Sequence, residues 1–197
     1  MANINYKLTK IQENLLNIET LREVKEINNI CAVLEIPGNF TTNEILSSLN
    51  NMLRKIDHLR IEVLSNKNQY IRSYKKLDNI QLKRFERESD LNSFIEVWKK
   101  DSIFDFKKPL YEFLVAEING VKKQVLIKFH HLISDIEFIT KFSNTFVGLL
   151  LDDINIEELS GRYYPKTTDN QESTIDFWTK ELKSFEGEAL YKGNSKH

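Results

Sequence analysis

Apolar residues return along this chain in two rhythms. Leu8, Ile11, Leu15 and Ile18 recur at three- and four-residue steps, which predicts a helix from about Thr9 into the low twenties. Across residues 27–36 the rhythm shortens: Ile30, Ala32, Leu34 and Ile36 alternate with other residues, as in a strand, until Pro37 and Gly38. Thr41 and Glu44 form a capping-box pair that opens a helix through Ile45, Leu46, Leu49, Met52 and Leu53. Residues 60–64 and 69–74 flank the turn-like Ser65-Asn66-Lys67-Asn68 and read as a hairpin. A strand near 80–85 precedes a helix carrying Leu91, Phe94, Ile95 and Trp98. A second hairpin pairs 110–118 with 121–129 through Asn119-Gly120, the strongest turn signal in the chain. After Ser134 a helix carries Ile136, Ile139, Phe142, Phe146 and Leu149. Tyr163-Tyr164-Pro165 and residues 166–172 read as a polar connection, and Ile175, Phe177, Trp178, Leu182 and Phe185 as a last amphipathic segment before a frayed end. The pattern predicts an α+β fold, an α/β sandwich with a mostly antiparallel sheet and helices packed on it.

Composition narrows the class. With 197 residues, 41% apolar and 29% charged, the chain is long enough for one folded domain. Lys plus Arg is 28 against 29 for Asp plus Glu, so no charge excess draws it to nucleic acid or an anionic membrane. Its start, MANINYKLTK, lacks the apolar run of a signal peptide, and no apolar stretch is long enough to span a bilayer; the expected location is the cytoplasm. Cys31 lies among Ala32, Val33 and Leu34 and reads as a core residue rather than a reactive thiol. No third ligand accompanies the two adjacent histidines, so no metal site is expected.

The chemistry concentrates in Lys128-Phe129-His130-His131-Leu132-Ile133-Ser134-Asp135-Ile136. On a continuing strand His131 shares a face with Val125, Ile127 and Phe129, and His130 with Leu126 and Lys128, so one imidazole can meet a cleft while the other packs inside. Imidazole suits general-base work because its ordinary pKa, about 6.5, lies near working pH. Residue chemistry alone nevertheless favours a plainer reading. Ser134 and Glu137 form a capping box, so the segment can be a mere strand–turn–helix junction with satisfied imidazoles and a first-turn Asp135.

His130-His131-Leu132-Ile133-Ser134-Asp135 resembles the HHxxxDG signature of the chloramphenicol-acetyltransferase-like superfamily, which includes the condensation domains of nonribosomal peptide synthetases. Phe104-Asp105-Phe106 followed by Pro109-Leu110 is similar to that family's FDL…PL element, and Leu59-Arg60 to the end of its RHExLR element. Leu8-Thr9 with Gln12 resembles its N-terminal L-T/S-x-x-Q stretch, and Phe177-Trp178 with Leu182 its YW…L helix. The marks run in family order over nearly the whole chain.

The resemblance implies a chloramphenicol-acetyltransferase-like lobe, half of a two-lobed condensation domain. Residues 1–165 would be its N-terminal lobe, and 166–197 the connection and crossover helix toward a C-terminal lobe. It implies amide formation between thioesters carried on the phosphopantetheine arms of peptidyl carrier proteins, beside an adenylation domain, with no cofactor bound directly. By position His131 matches the catalytic histidine, while His130, Asp135 and Arg60 match residues of structural support. Ile136 replaces the family's Gly and Phe138 its common Ser, and Lys55 and Ile56 replace the first Arg and the His of RHExLR. These departures, and the absence of a second lobe, suit an isolated lobe with little turnover. Two alternatives stand beside it: a non-catalytic carrier-protein-binding module, and a small self-assembling acetyltransferase. The latter carries its histidine motif near the chain end, unlike this sequence. Cyclisation domains normally have acids where this chain has the histidine pair.

Overall fold

The computed structural model describes residues 5–21, 26–37, 40–64, 67–101, 104–152 and 179–180. Contacts divide the chain into residues 1–165 and 166–197, and nearly all described residues lie in the first unit. The predicted connection and last amphipathic segment fall outside the described residues, apart from Thr179 and Lys180, which are helical.

The centre is a four-stranded sheet in the order β2 (Asn29–Ile36), β7 (Lys122–His130), β6 (Tyr111–Ile118), β5 (Gln81–Phe85). All its pairings are antiparallel except β5 with β6, which is parallel. The hairpin between β6 and β7 turns at Asn119 (φ 51°) and Gly120 (φ 70°). Two successive left-handed residues match the twist of the flanking strands, which is why Asn-Gly sits there. A second sheet, β1 (Asn5–Lys7), β4 (Asn68–Ile71) and β3 (Ile61–Val63), is antiparallel throughout. The hairpin predicted over 60–74 is its β3–β4 pair; β1 is too short and polar to be read from periodicity.

Helices cover both faces of the central sheet. Phe113, Val115, Val125, Ile127 and Phe129 pack with α2 (Thr42–Lys55) and α4 (Ile136–Leu150). Leu114, Ala116, Ile118 and Leu126 pack under Leu91, Ile95 and Trp98 of α3 (Glu88–Trp98). This double coverage makes β7 an almost continuous buried run, even on the face that carries Gln124, Lys128 and His130. Phe113, Phe129, Phe142 and Phe146 stack or meet edge-on in one row, and burying each contributes roughly 2–3 kcal/mol. The one charge buried within the strand, Lys128, is satisfied. Its Nζ lies 3.1 Å from Glu112 and 4.3 Å from the centre of the Trp98 ring, whose indole N–H also donates to Glu112. Cys31, opposite Lys128 across the β2–β7 ladder, is half-buried rather than a full core residue, and burial pushes its thiol up.

Helix α1 (Lys10–Leu21) reverses the predicted face. Ile11 is 72% exposed and Ile18 39%, whereas Gln12 and Glu19 are buried. Seven residues, two turns, separate the buried pair, so they share one face. On that face Gln12 and Glu19 meet polar groups of the histidine loop, while Leu16 between them packs against the core.

Candidate functional site

Strand β7 ends at His130, one residue earlier than the alternation reading requires, and His131 opens a turn over 131–133. The two imidazoles then part. His130 is 1% exposed. Its Nδ1 accepts the Leu132 N–H at 3.0 Å, so Nε2 carries the proton and donates to Glu19 at 2.8 Å. Burial holds this imidazole below its ordinary pKa against the pull of Glu19, and the geometry keeps it neutral. The rings of Phe104 and Phe106 meet it edge-on at 5.9 and 5.2 Å.

His131 is exposed. Its backbone N–H donates to the Asn28 carbonyl at 2.7 Å. Its Nδ1 lies 2.8 Å from the Ser134 carbonyl, which can only accept. Nδ1 therefore carries the proton of the neutral ring, and Nε2 is left with its lone pair, the state a general base needs.

The turn after His131 is held from several sides. Ser134 Oγ donates to the His130 carbonyl at 3.3 Å, and the Ile133 N–H donates to the same oxygen. Gln12 donates to the Leu132 carbonyl at 3.3 Å and exchanges a reciprocal amide pair with Gln69, at 3.1 and 2.9 Å. Asp135, not Ser134, is the N-cap of α4: its carboxylate accepts the Phe138 N–H at 2.7 Å. Ser134 is committed to His130, which leaves the cap to the next short polar side chain, and Glu137 pairs with Lys141 instead of closing a box. Ile136 is helical and 76% exposed, so no left-handed backbone calls for Gly there. Phe138 packs inward on Phe129 and Phe142.

An open cleft of about 380 Å³ faces this turn, lined by His131, Asp135, Phe138, Thr9, Gln12 and His58. Sequence reading did not single out His58. It occupies the 3-10 turn Asp57–Arg60 and meets Phe138 edge-on, ring centres 4.3 Å apart. Burial pushes its pKa down to about 4, although the carboxylates of Asp57 and Asp135 oppose the shift. Its one outward signal is position, next to Leu59-Arg60.

Arg60 lies outside the cleft lining and locks that turn. Its guanidinium donates to the carbonyls of Leu53 (2.7 Å), Arg54 (2.9 Å) and Arg72 (3.0 Å), and meets Asp57 at 2.6 Å. These contacts satisfy carbonyls that the end of α2 leaves without partners, and only a planar fork reaches so many at once. Among the described residues no cluster of three or more metal-ligating side chains occurs, and no helix is long and apolar enough to cross a membrane.

A family model described as "Condensation domain" matches residues 3–188. The chain belongs to the condensation-domain family. A curated relative, one of the plipastatin synthase proteins of Bacillus subtilis (strain 168), is 24% identical over 157 residues, covering 76% of this chain and 6% of that protein. Among solved structures, a variant of the starter condensation domain of the rhizomide synthetase RzmA superposes with TM-score 0.73 at 11% identity, over 94% of this chain and 50% of that one. The four-domain nonribosomal peptide synthetase holo-AB3403 gives TM-score 0.65 at 16% identity, over 92% of this chain and 15% of its own. This chain thus spans a small part of its curated relative and half of the RzmA condensation domain. Within this condensation-domain fold the family-like residues acquire physical tasks. Thr9 and Gln12 cap α1 reciprocally while Gln12 reaches the histidine turn. Phe104-Asp105-Phe106 brings two rings to His130 around a turn that Asp105 caps through the Lys107 N–H.

Proposed function

We propose that residues 1–165 act as the N-terminal lobe of a nonribosomal peptide synthetase condensation domain, with 166–197 leading toward its C-terminal lobe. Its partners are peptidyl carrier proteins, whose phosphopantetheine arms bring acyl and aminoacyl thioesters, and an adjacent adenylation domain, in the cytoplasm. In the reaction the amine of one thioester-borne substrate attacks the carbonyl carbon of the other. A C–N bond forms, the C–S bond breaks, and the departing sulfur takes up the proton that the amine releases. His131 Nε2 receives or orients that amine proton at the mouth of the cleft. His130, Asp135 and Arg60 act indirectly, by fixing the turn, the start of α4 and the end of α2.

The observation that carries this reading is an exposed His131 whose Nδ1 is bound to the Ser134 carbonyl beside an open cleft. The family match supplies the reaction class. His131→Ala in the complete domain is expected to lower amide formation by roughly 10²–10⁴-fold, measured by mass spectrometry of products from loaded carrier proteins. Product formation at the wild-type rate would remove His131 from the chemistry.

A further inference from the structure

Residues 72–80 connect β4 to β5 without regular structure, yet they are tied down. Buried Asn50 of α2 donates to the Leu77 carbonyl at 3.0 Å, and its Oδ1 accepts from the Leu77 N–H at 2.8 Å and from the Tyr74 hydroxyl at 2.9 Å. Arg60 donates to the Arg72 carbonyl where the segment begins. The strap so formed does not collapse onto the lobe. Between it and Leu53, Leu59, Ile61, Pro109 and Tyr111 lies a pocket of about 370 Å³, which shares only Ile61 with the lining of the histidine cleft. Protein interiors are close-packed, so a preformed space of this size with apolar walls and a few polar groups is the ordinary form of a ligand site.

The lining specifies the chemistry of the ligand. Leucine, isoleucine and proline side chains give it aliphatic walls. Half-buried Tyr111 adds a hydroxyl with no hydrogen-bond partner among the described residues, whereas the Tyr74 hydroxyl is taken by Asn50. Burial raises the Tyr111 pKa, helped by Tyr74 and opposed by Arg60 and Arg72, so the hydroxyl keeps its proton and can donate. Lys75 and Lys76 border the pocket and make no ion pair among the described residues, and Asp78 is the one acid in the lining. Arg60 and Arg72 are already matched to Asp57 and Glu62. The remaining charge at the rim is positive, which favours an electron-rich oxygen near the Tyr111 hydroxyl.

We propose that this pocket binds an aliphatic acyl group whose carbonyl or carboxylate oxygen accepts a hydrogen bond from Tyr111. An apolar cavity of about 150 Å³ holds benzene, so this one has room for a chain of roughly eight carbons. The chain can arrive as a free acid or on a thioester. The functional reading above bears only on the second source, and the pocket stands without it.

Calorimetric titration of the 197-residue chain with sodium octanoate and with S-octanoyl-pantetheine tests this. At least one of them is expected to bind, and the tighter of the two names the source. Each methylene taken from the chain is expected to weaken binding about fourfold. Tyr111→Phe removes a hydroxyl that bonds to no described residue, and is expected to weaken binding about tenfold at unchanged Tm. In ¹H–¹³C spectra the methyl signals of Leu59 and Leu77 are expected to move on titration, while those of Leu91 and Leu126, on the α3 side of the sheet, stay fixed. No binding of either ligand would overturn the proposal. Acetate binding as tightly as octanoate would overturn it as well, since that is the behaviour of a surface anion site. So would wild-type affinity in folded Tyr111→Phe. If Tyr111→Phe fails to fold, Leu59 and Leu77 signals that stay fixed in the wild type would count against it equally. His131 does not line this pocket, so the amide-formation test of His131→Ala and the binding test here fail separately.

Discussion

At the scale of the residue, burial raises what a proton costs His58 and His130. His58 is pushed to about 4 from an ordinary 6.5 by desolvation, and His130 is lowered by the same cause. Between these limits the unfolded chain binds the proton that the folded chain refuses. Stability is therefore complete above about pH 6.5 and declines as pH falls through about 4. The His58 shift alone is worth roughly 3 kcal/mol across that window. Carboxylates with lowered pKa, such as Glu44 and Glu117, add their own loss at the acid end of the window. Thermal melts from pH 7 down to pH 4 are expected to show Tm falling with onset near pH 6.5. His58→Phe is expected to melt near wild type at pH 7 and along a flatter curve below it. A wild-type Tm constant to pH 5 would mean that His58 titrates as an ordinary surface imidazole.

At the scale of the element, α1 is a helix whose interior face carries two buried polar side chains on either side of Leu16. Gln12 and Glu19 hold the histidine turn by hydrogen bonds, while Ile11 and Ile18 face outward. Gln12→Leu is expected to cost about 2–3 kcal/mol, because it adds an apolar group but strands Gln69. Ile11→Lys, on the exposed face, is expected to stay within about 0.5 kcal/mol. Urea denaturation compares the two, and the reverse order would show that α1 packs on its apolar side. The inversion explains what periodicity could and could not reveal. It located α1, but apolar spacing reports burial only when the buried partners are apolar. Elements around the central sheet, by contrast, were legible because Asn119-Gly120 fixed the hairpin and Ile139, Phe142 and Phe146 kept their spacing. The histidine turn was legible in part. Alternation across a strand separated the two imidazoles without telling which lies inside, because where the strand stops depends on His131 donating to the carbonyls of Ser134 and of Asn28, a partner far away in the chain that no local pattern announces. His58 was missed because what brings it to the cleft is the Arg60 clamp and Phe138, a residue 80 positions later in the chain.

At the scale of the molecule, a sheet covered on both faces stands beside an open cleft. Among the described residues both faces of the central sheet are covered, one by α2 and α4 and the other by α3. The cleft at His131 is open, and the fold corresponds to 50% of the RzmA condensation domain. Rate enhancement in an acyl transfer draws heavily on fixing two substrates together and keeping water from the thioester. On the reading proposed for this cleft, one wall supplies His131, and a second wall would be needed to confine two pantetheine-borne groups. The 197-residue chain is therefore expected to unfold in a single cooperative transition of its main unit, and yet to yield no amide above the uncatalysed level when mixed with two loaded carrier proteins. The same residues continued into a complete domain are expected to form product. Hydrolysis of the donor thioester by the isolated chain, at a rate that falls in His131→Ala, would indicate that His131 activates water where the cleft lacks its second wall. Amide formation by the isolated chain at the rate of the complete domain would mean that a single wall suffices, and the two-sided mechanism would have to be abandoned.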